Sequence, residues 1–451
     1  MTFMPRDQVD WPAVAAALAP LTVIDDPAMV RQKSRDFFWY SPILKRQMNH
    51  LSGDLLALPA NEDEVLHAAR MARRFRVPLT VRGAGTGNYG QAMPLHGGIV
   101  LDVSRLGAIG AVEKGVLTVG AGARLRDIDA VCRPLGWELR MHPSTKRTAT
   151  VGGFIAGGSG GIGSIMWGQL RDRGNLLGLR LVTLGDEPEV MVLSGDDVQL
   201  ANHAYGCTGI ITELRLPMAP AHDWVDLIVL FDDFARCNRF AQAIADADGV
   251  VKKLVTTIDA AATGYFRGLA DHLPAGRHAA LLMIAEPFLS DYAMLAREFG
   301  GTESYRQATP ETEAGGVPLY EYTWNHTTLQ ALKVDKGITY LQALFPAEGG
   351  LDLVEEMRAR FPDDYIMHCE FLRAGGRNTC AALPLVRYTS DERLYEIIRA
   401  HEERGILIFD PHTCILEDGG MKKVDEAQVA FRRRTDPLGL LNPGKMKGWG
   451  G

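Results

Sequence analysis

Apolar residues fall in two patterns along this chain. Short continuous runs bounded by glycine or proline, Val77 to Val81, Gly98 to Val103 and Val116 to Val119, predict buried strands. Helical spacing of Val65, Leu66, Ala69, Met71, Ala72 and Phe75 behind Asn61-Glu62-Asp63-Glu64 predicts a helix capped by Asn61, with the acids complementing its dipole. Trp11 to Ala19 and Arg124 to Leu135 read as further helices, the second stopped by Gly136. Leu176 to Leu184 and Val190 to Leu193 predict a strand pair, and Gly209 to Leu216 a strand ended by Pro217 and Pro220. Beyond it, strands and helices alternate: Val225 to Phe231, Phe234 to Ala247, Ala279 to Ala285 and Tyr292 to Phe299. A second round follows with Leu353 to Phe361, Tyr365 to Leu372, Leu383 to Tyr388 and Glu392 to Arg404. Two similar rounds predict a second α/β sheet, built by duplication. Lys422 to Arg434 reads as a helix, and the proline- and glycine-rich stretch Thr435 to Met446 excludes regular structure.

Length adds a division. A chain of 451 residues exceeds what one core supports, so two domains are expected, with the boundary between Ala219 and Asp223. With 46% apolar and 23% charged residues the composition is that of a globular enzyme, and a net charge of −7 argues against a nucleic-acid partner. Arg432-Arg433-Arg434 reads as a solvated helix face. The six cysteines are scattered without a CxxC pair, which argues against disulfides and thiolate metal sites and fits a cytoplasmic location. No signal peptide and no membrane-spanning apolar run is recognisable.

Two glycine-rich stretches, Thr80 to Gly90 and Thr150 to Gly163, carry the candidate chemistry. Glycine lets consecutive amides crowd against an anion, and such nests bind phosphate without side-chain charge. Both stretches are expected to close over the diphosphate and ring system of one dinucleotide. Gly85-x-Gly87-x-x-Gly90 satisfies the nicotinamide-type fingerprint, but that motif must open a helix. Pro94, Gly97 and Gly98 forbid one here, so the nicotinamide reading is rejected.

The order RGAGT (82–86), LDVSRL (101–106), VLTVGAGARL (116–125), PSTKRTATVGG (143–153) and GIITELRLP (209–217) resembles the FAD-binding domain of the vanillyl-alcohol oxidase / PCMH-type flavoprotein superfamily. The terminal DPLGLLNPGKM (436–446) resembles its FAD-linked oxidase branch, which includes D-lactate dehydrogenase and the glycolate oxidase FAD subunit. The resemblance implies an α+β fold, with a two-subdomain FAD-binding domain over 1–219, an α/β substrate (cap) domain over 220–412, and a segment over 413–451 returning to the first. It implies a pyrophosphate loop of Arg82, Gly83, Ala84, Gly85, Thr86, Gly87 and Asn88, completed by Tyr89 and Gly90. Pro143, Ser144, Thr150, Gly152 and Gly153 would line the second side, and Gly157, Gly158, Ser159 and Gly163 would continue along the cofactor. Ile211 would meet the adenine, and Asn442 and Lys445 would return to the isoalloxazine. Thr86 stands where covalently flavinylated relatives carry histidine, so the FAD is expected to be non-covalent. The paired histidines of metal-dependent hydroxy-acid members have no intact counterpart, and no metal is expected.

Oxidation of a CH–OH carbon, a 2-hydroxy acid or related alcohol, with hydride passing to flavin N5, requires a base titrating near neutrality. The alternatives are a sugar, aryl alcohol or amine as substrate, or an electron-transferring subunit of a larger assembly; a homo-oligomer or partner subunit fits either. His326, His412 and His368 are the candidate bases. Tyr322, Trp324 and His326 alternate, so on an extended strand they would share one face. With Tyr40, in an aromatic run before Pro42, and Glu370, two residues beyond His368, Tyr322 and Trp324 are the candidate substrate contacts.

Overall fold

The structure, a computed structural model, describes residues 3–420, 424 and 426–447. The N-terminal part builds two sheets. The four-stranded one runs Thr22–Ile24, Leu55–Leu58, Ile99–Asp102, Leu79–Arg82. Its last three strands are parallel and mostly buried on both faces, as continuous apolar runs require. Helix Glu62–Phe75 connects two of them. Asn61 accepts from the Glu64 amide at 2.9 Å, and Arg76 closes the helix in the left-handed region at φ 51°.

The six-stranded sheet is antiparallel. Ile109–Glu113, Val116–Gly120, Ile210–Pro220, Gly178–Val182 and Val190–Ser194 lie side by side, and Trp137–Leu139 joins the far end of the long central strand. That strand passes through Pro217 instead of ending there. Pro217 is the last partner of Val116–Gly120, and Met218 opens the pairing with Leu139, so the proline sits where one ladder gives way to another.

The chain leaves this sheet at Pro220 and enters an eight-stranded antiparallel sheet at Trp224. Its order is Thr302–Ala308, Trp224–Phe231, His278–Ala285, Lys252–Ile258, His368–Ala374, Arg377–Ala382, Gln342–Leu344, Leu407–Phe409. Helices Phe234–Asp246, Leu289–Glu298, Gly350–Arg360 and Asp391–Glu402 accompany it. Lys252–Ile258 escaped the apolar pattern because its polar side chains are satisfied inside. Lys252 donates to the Ala247 carbonyl at 2.7 Å, Thr256 to Glu370 at 2.5 Å and Thr257 to Asn238 at 2.6 Å.

Three local expectations are corrected. Thr150 to Gly163 is not a simple loop: Val151–Gly157 is a helix, started by Thr150, whose side chain accepts from the Gly153 amide. Tyr322, Trp324 and His326 do not share a strand face. Leu319–Tyr322 is a 3-10 turn, Asn325–Val334 a helix, and Trp324 joins them at φ 53°, ψ −140°. The arginine run is not wholly solvated, since Arg432 is buried and donates to the Leu441 carbonyl at 3.3 Å. Its helix runs Glu426–Thr435; of the expected Lys422–Arg434, residues 422, 423 and 425 lie outside the described residues. Among the described residues no helix is long and apolar enough to cross a membrane.

Candidate functional site

A cleft of about 250 Å³ lies between the four-, six- and eight-stranded sheets, lined by the first glycine loop, the Thr150 helix and residues of the eight-stranded sheet. The loop emerges from strand Leu79–Arg82 and is held from behind. Arg82 donates to the carbonyls of Gly83 at 3.1 Å, Ala84 at 2.9 Å and Arg35 at 3.1 Å, and to that of Lys33. The Gly87 carbonyl accepts from the Phe37 amide at 2.7 Å. Gln91 bridges to the other side, accepting from the Tyr89 amide at 3.0 Å and reaching the Gly157 carbonyl at 3.4 Å.

The loop's own amides are the decisive feature. Among the described residues, none of the consecutive N–H groups from Gly83 to Asn88 donates to a protein acceptor. Backbone donors in a folded interior are almost always paired, so a run of unpaired donors facing a cleft is a binding surface for an anion. The FAD diphosphate fits that surface. Gly85 sits at φ +69°, where a Cβ would lie 2.1 Å from the Arg82 guanidinium, so only glycine leaves the loop as it is.

The second glycine-rich segment uses its amides differently. Val151 N–H donates to Ala123 at 2.8 Å, Gly152 N–H to Ala121 at 2.9 Å, and Gly153 N–H to the Thr150 hydroxyl at 3.3 Å. Over residues 151–153 it therefore offers the cleft a smooth wall instead of a donor nest. Pro143, Ser144, Thr150, Gly152, Gly153, Gly157, Gly158, Ser159 and Ile211 all line the cleft, with Arg82 through Tyr89 opposite. Gly90 and Gly163 do not. A Cβ at Gly163 would lie 2.0 Å from the Arg140 carbonyl, so that glycine serves backbone packing.

The tail supports the loop from outside. Asn442 donates to the Gln91 and Tyr205 carbonyls at 2.7 Å each, and the fully buried Lys445 donates to the Gly90 carbonyl; neither lines the cleft. Asp36 was not singled out in the sequence. It accepts from the Phe38 amide at 2.9 Å and the Ala92 amide at 3.1 Å, pinning the aromatic segment to the loop, and burial pushes its pKa up to about 6.

The three candidate histidines separate cleanly. His326 lines the cleft. Its Nδ1 lies 3.1 Å from the Glu321 carbonyl, which can only accept, so Nδ1 carries the proton and Nε2 keeps its lone pair. Burial lowers its pKa. His412 is buried with both nitrogens engaged, Nδ1 with the Ser41 hydroxyl at 2.8 Å and Nε2 with the Tyr340 carbonyl at 3.0 Å. Burial lowers its pKa to about 4. His368 is fully buried between Glu370 at 2.8 Å and the Leu383 carbonyl at 3.3 Å.

Of the expected substrate contacts, Tyr40 and Trp324 line the cleft; Tyr322 is buried against Phe266. Glu370 lies behind Trp324, accepting from its amide at 2.6 Å, and so holds that residue's positive φ. Asn325 and Gln342, joined at 3.3 Å, line the cleft too, and no pattern in the sequence marked them. Among the described residues no group of three or more His, Cys, Asp or Glu side chains is placed to hold a metal.

Comparison with known proteins agrees with this geometry. Residues 53–189 match the family described as FAD binding domain. The chain is 27% identical over 213 residues to an uncharacterized FAD-linked oxidoreductase of Mycobacterium tuberculosis, covering 45% of this chain and 46% of that protein. It thus spans less than half the length of that relative. With the glycolate oxidase subunit GlcD of Bacillus subtilis it shares 25% identity over 423 residues, 87% of this chain and 88% of that one. The fold matches solved alkyldihydroxyacetonephosphate synthase with a TM-score of 0.74 at 13% identity, over 98% of this chain and 89% of that chain. An unpaired amide loop suited to a diphosphate thus lies inside the matched FAD binding domain, residues 53–189, within an α+β fold like that of the solved synthase.

Proposed function

We propose that this flavoprotein is an oxidoreductase that oxidises a CH–OH group of a small molecule. FAD, when bound, supplies the acceptor for the hydride. The protein's part is to orient the donor and take the hydroxyl proton. The observation that carries the reading is the His326 ring, which faces the cleft with a free lone pair on Nε2 while Glu321 fixes its tautomer. Burial keeps it neutral at pH 7, the state a base needs. Trp324, turned into the cleft by its backbone and held there by Glu370, packs against the donor. Names of relatives support the reaction class: GlcD is a glycolate oxidase subunit.

In this reading residues 1–219 hold the FAD, 220–412 form the substrate domain, and 413–451 return to brace the loop through Asn442 and Lys445. The FAD is non-covalent, because Thr86 offers no ring nitrogen to bond it. Acid precipitation should release all the flavin into the supernatant; flavin left on the pellet refutes this. The function is tested by anaerobic mixing with candidate donors. His326→Ala should keep the yellow spectrum and slow flavin reduction by about 10² to 10⁴-fold, whereas an unchanged rate removes His326 from the chemistry. The word subunit in the GlcD name supports a second reading, an assembly with an electron-accepting partner, which would appear as a larger particle on size-exclusion of the native protein.

A further inference from the structure

The charges around the cleft are sparse. Among the described residues lining it, Arg82 is the single lysine or arginine, and its guanidinium is committed to four backbone carbonyls. The single carboxylate, Asp36, is likewise engaged by two amides. The cations whose charge acts on His326 are Lys333 and Arg147. Arg147 is paired with Glu321, with one contact at 2.9 Å, Lys333 donates to Gln330 at 3.2 Å, and neither lines the cleft. His326 itself stays neutral at pH 7, because burial lowers its pKa.

What the wall does offer is apolar surface with a few neutral polar groups. Trp324, Leu344, Leu372 and Phe409 supply the surface. Asn325 and Gln342 supply amides, and the buried Tyr89 hydroxyl beside them has no hydrogen-bond partner of good geometry. Burying a carboxylate in such a place without a counter-cation is strongly unfavourable, whereas a neutral hydroxyl can be satisfied by amide and tyrosine groups.

We infer that the substrate is uncharged: an alcohol with an apolar or aromatic body, its hydroxyl held between His326 and the Asn325–Gln342 amides, and not a 2-hydroxy acid. This rests on the reading of the cleft as the site of oxidation. It sets the chain apart from a relative named for glycolate.

The test uses the flavin-loaded protein and ligand pairs of like size and shape, one member neutral and the other a carboxylate. Benzamide against benzoate and 1-phenyl-1,2-ethanediol against mandelate are titrated at pH 8, following perturbation of the flavin absorbance. The neutral member of each pair should bind at least about tenfold tighter, a factor worth about 1.4 kcal/mol. Equal or tighter binding of the carboxylates overturns the inference, as does the absence of any perturbation by the neutral members. Glucose binding better than benzyl alcohol overturns the apolar part. Leu372→Arg, which places a cation on the wall, should raise carboxylate affinity by at least about tenfold. Neutral ligands that bind preferentially while no alcohol bleaches the flavin leave the preference for an uncharged ligand standing and refute the oxidation reading, and with it the alcohol as substrate.

Discussion

Two glycine-rich segments flank the cleft, alike in composition and opposite in use. Gly83 to Asn88 leaves its amides without protein partners, while Val151 to Gly153 hands its amides to Ala123, Ala121 and Thr150. Glycine therefore signals a close backbone approach but does not say what approaches. In the first segment the amides are left open to an anion; in the second the neighbour is the protein's own backbone, since a Cβ at Gly152 would lie 2.6 Å from the Ala121 Cβ. The same distinction sorts the histidines. His326 keeps one nitrogen free, and His412 has both engaged.

The largest expected effect breaks the free segment. Gly85→Val forces an L side chain to φ +69° and drives its Cβ into the Arg82 guanidinium, so the loop cannot keep its shape. The purified variant should contain no FAD while its circular dichroism stays native; stoichiometric flavin would contradict the account. Next comes the free histidine, whose loss slows flavin reduction as stated above. Its pH dependence has a definite sign. The wild-type reduction rate should hold through pH 7 and fall only below 6.5, as protonation fills the Nε2 lone pair. A decline that begins at alkaline pH would assign the base elsewhere.

His412 should act on stability instead. Its folded pKa, about 4, lies below the 6.5 of the unfolded chain, so the folded state binds the proton more weakly. Its contribution is complete above pH 6.5 and is lost as the pH falls toward 4, up to ~3 kcal/mol in all. Comparing urea unfolding of wild type and His412→Gln at pH 7.5 and 5 checks this: the wild type should lose more stability than the variant. The smallest effect concerns the engaged segment. Thr150→Ala removes a helix cap and should cost about 1 kcal/mol while FAD stays bound.

Much of the nucleotide side was legible in the chain. The Asn61 cap, the buried parallel strands and the loop Arg82 to Gly90 are local signals, carried by residues adjacent in sequence. The other side was not. Trp324 and Glu370 meet through one hydrogen bond between residues 46 positions apart, and Gln342 meets Asn325 across 17. No periodicity encodes such meetings. The alternation of Tyr322, Trp324 and His326 suggested a strand, but the positive φ at Trp324 turns the chain from a 3-10 turn into a helix, and that conformation is sustained by a distant carboxylate. Lys445 shows the same limit. A cation in the tail was legible, whereas its engagement with the Gly90 carbonyl, outside the cleft, depends on how the tail packs.

Hydrogen–deuterium exchange of the apoprotein and the FAD-loaded protein, read at residue level, tests the contrast between the two glycine segments directly. Amides from Gly83 to Asn88 should exchange rapidly without FAD and become protected with it, while those of Val151 to Gly153 are protected in both. Unchanged exchange at 83–88, or protection gained chiefly at 151–153, would contradict the assignment of the first loop as the diphosphate site.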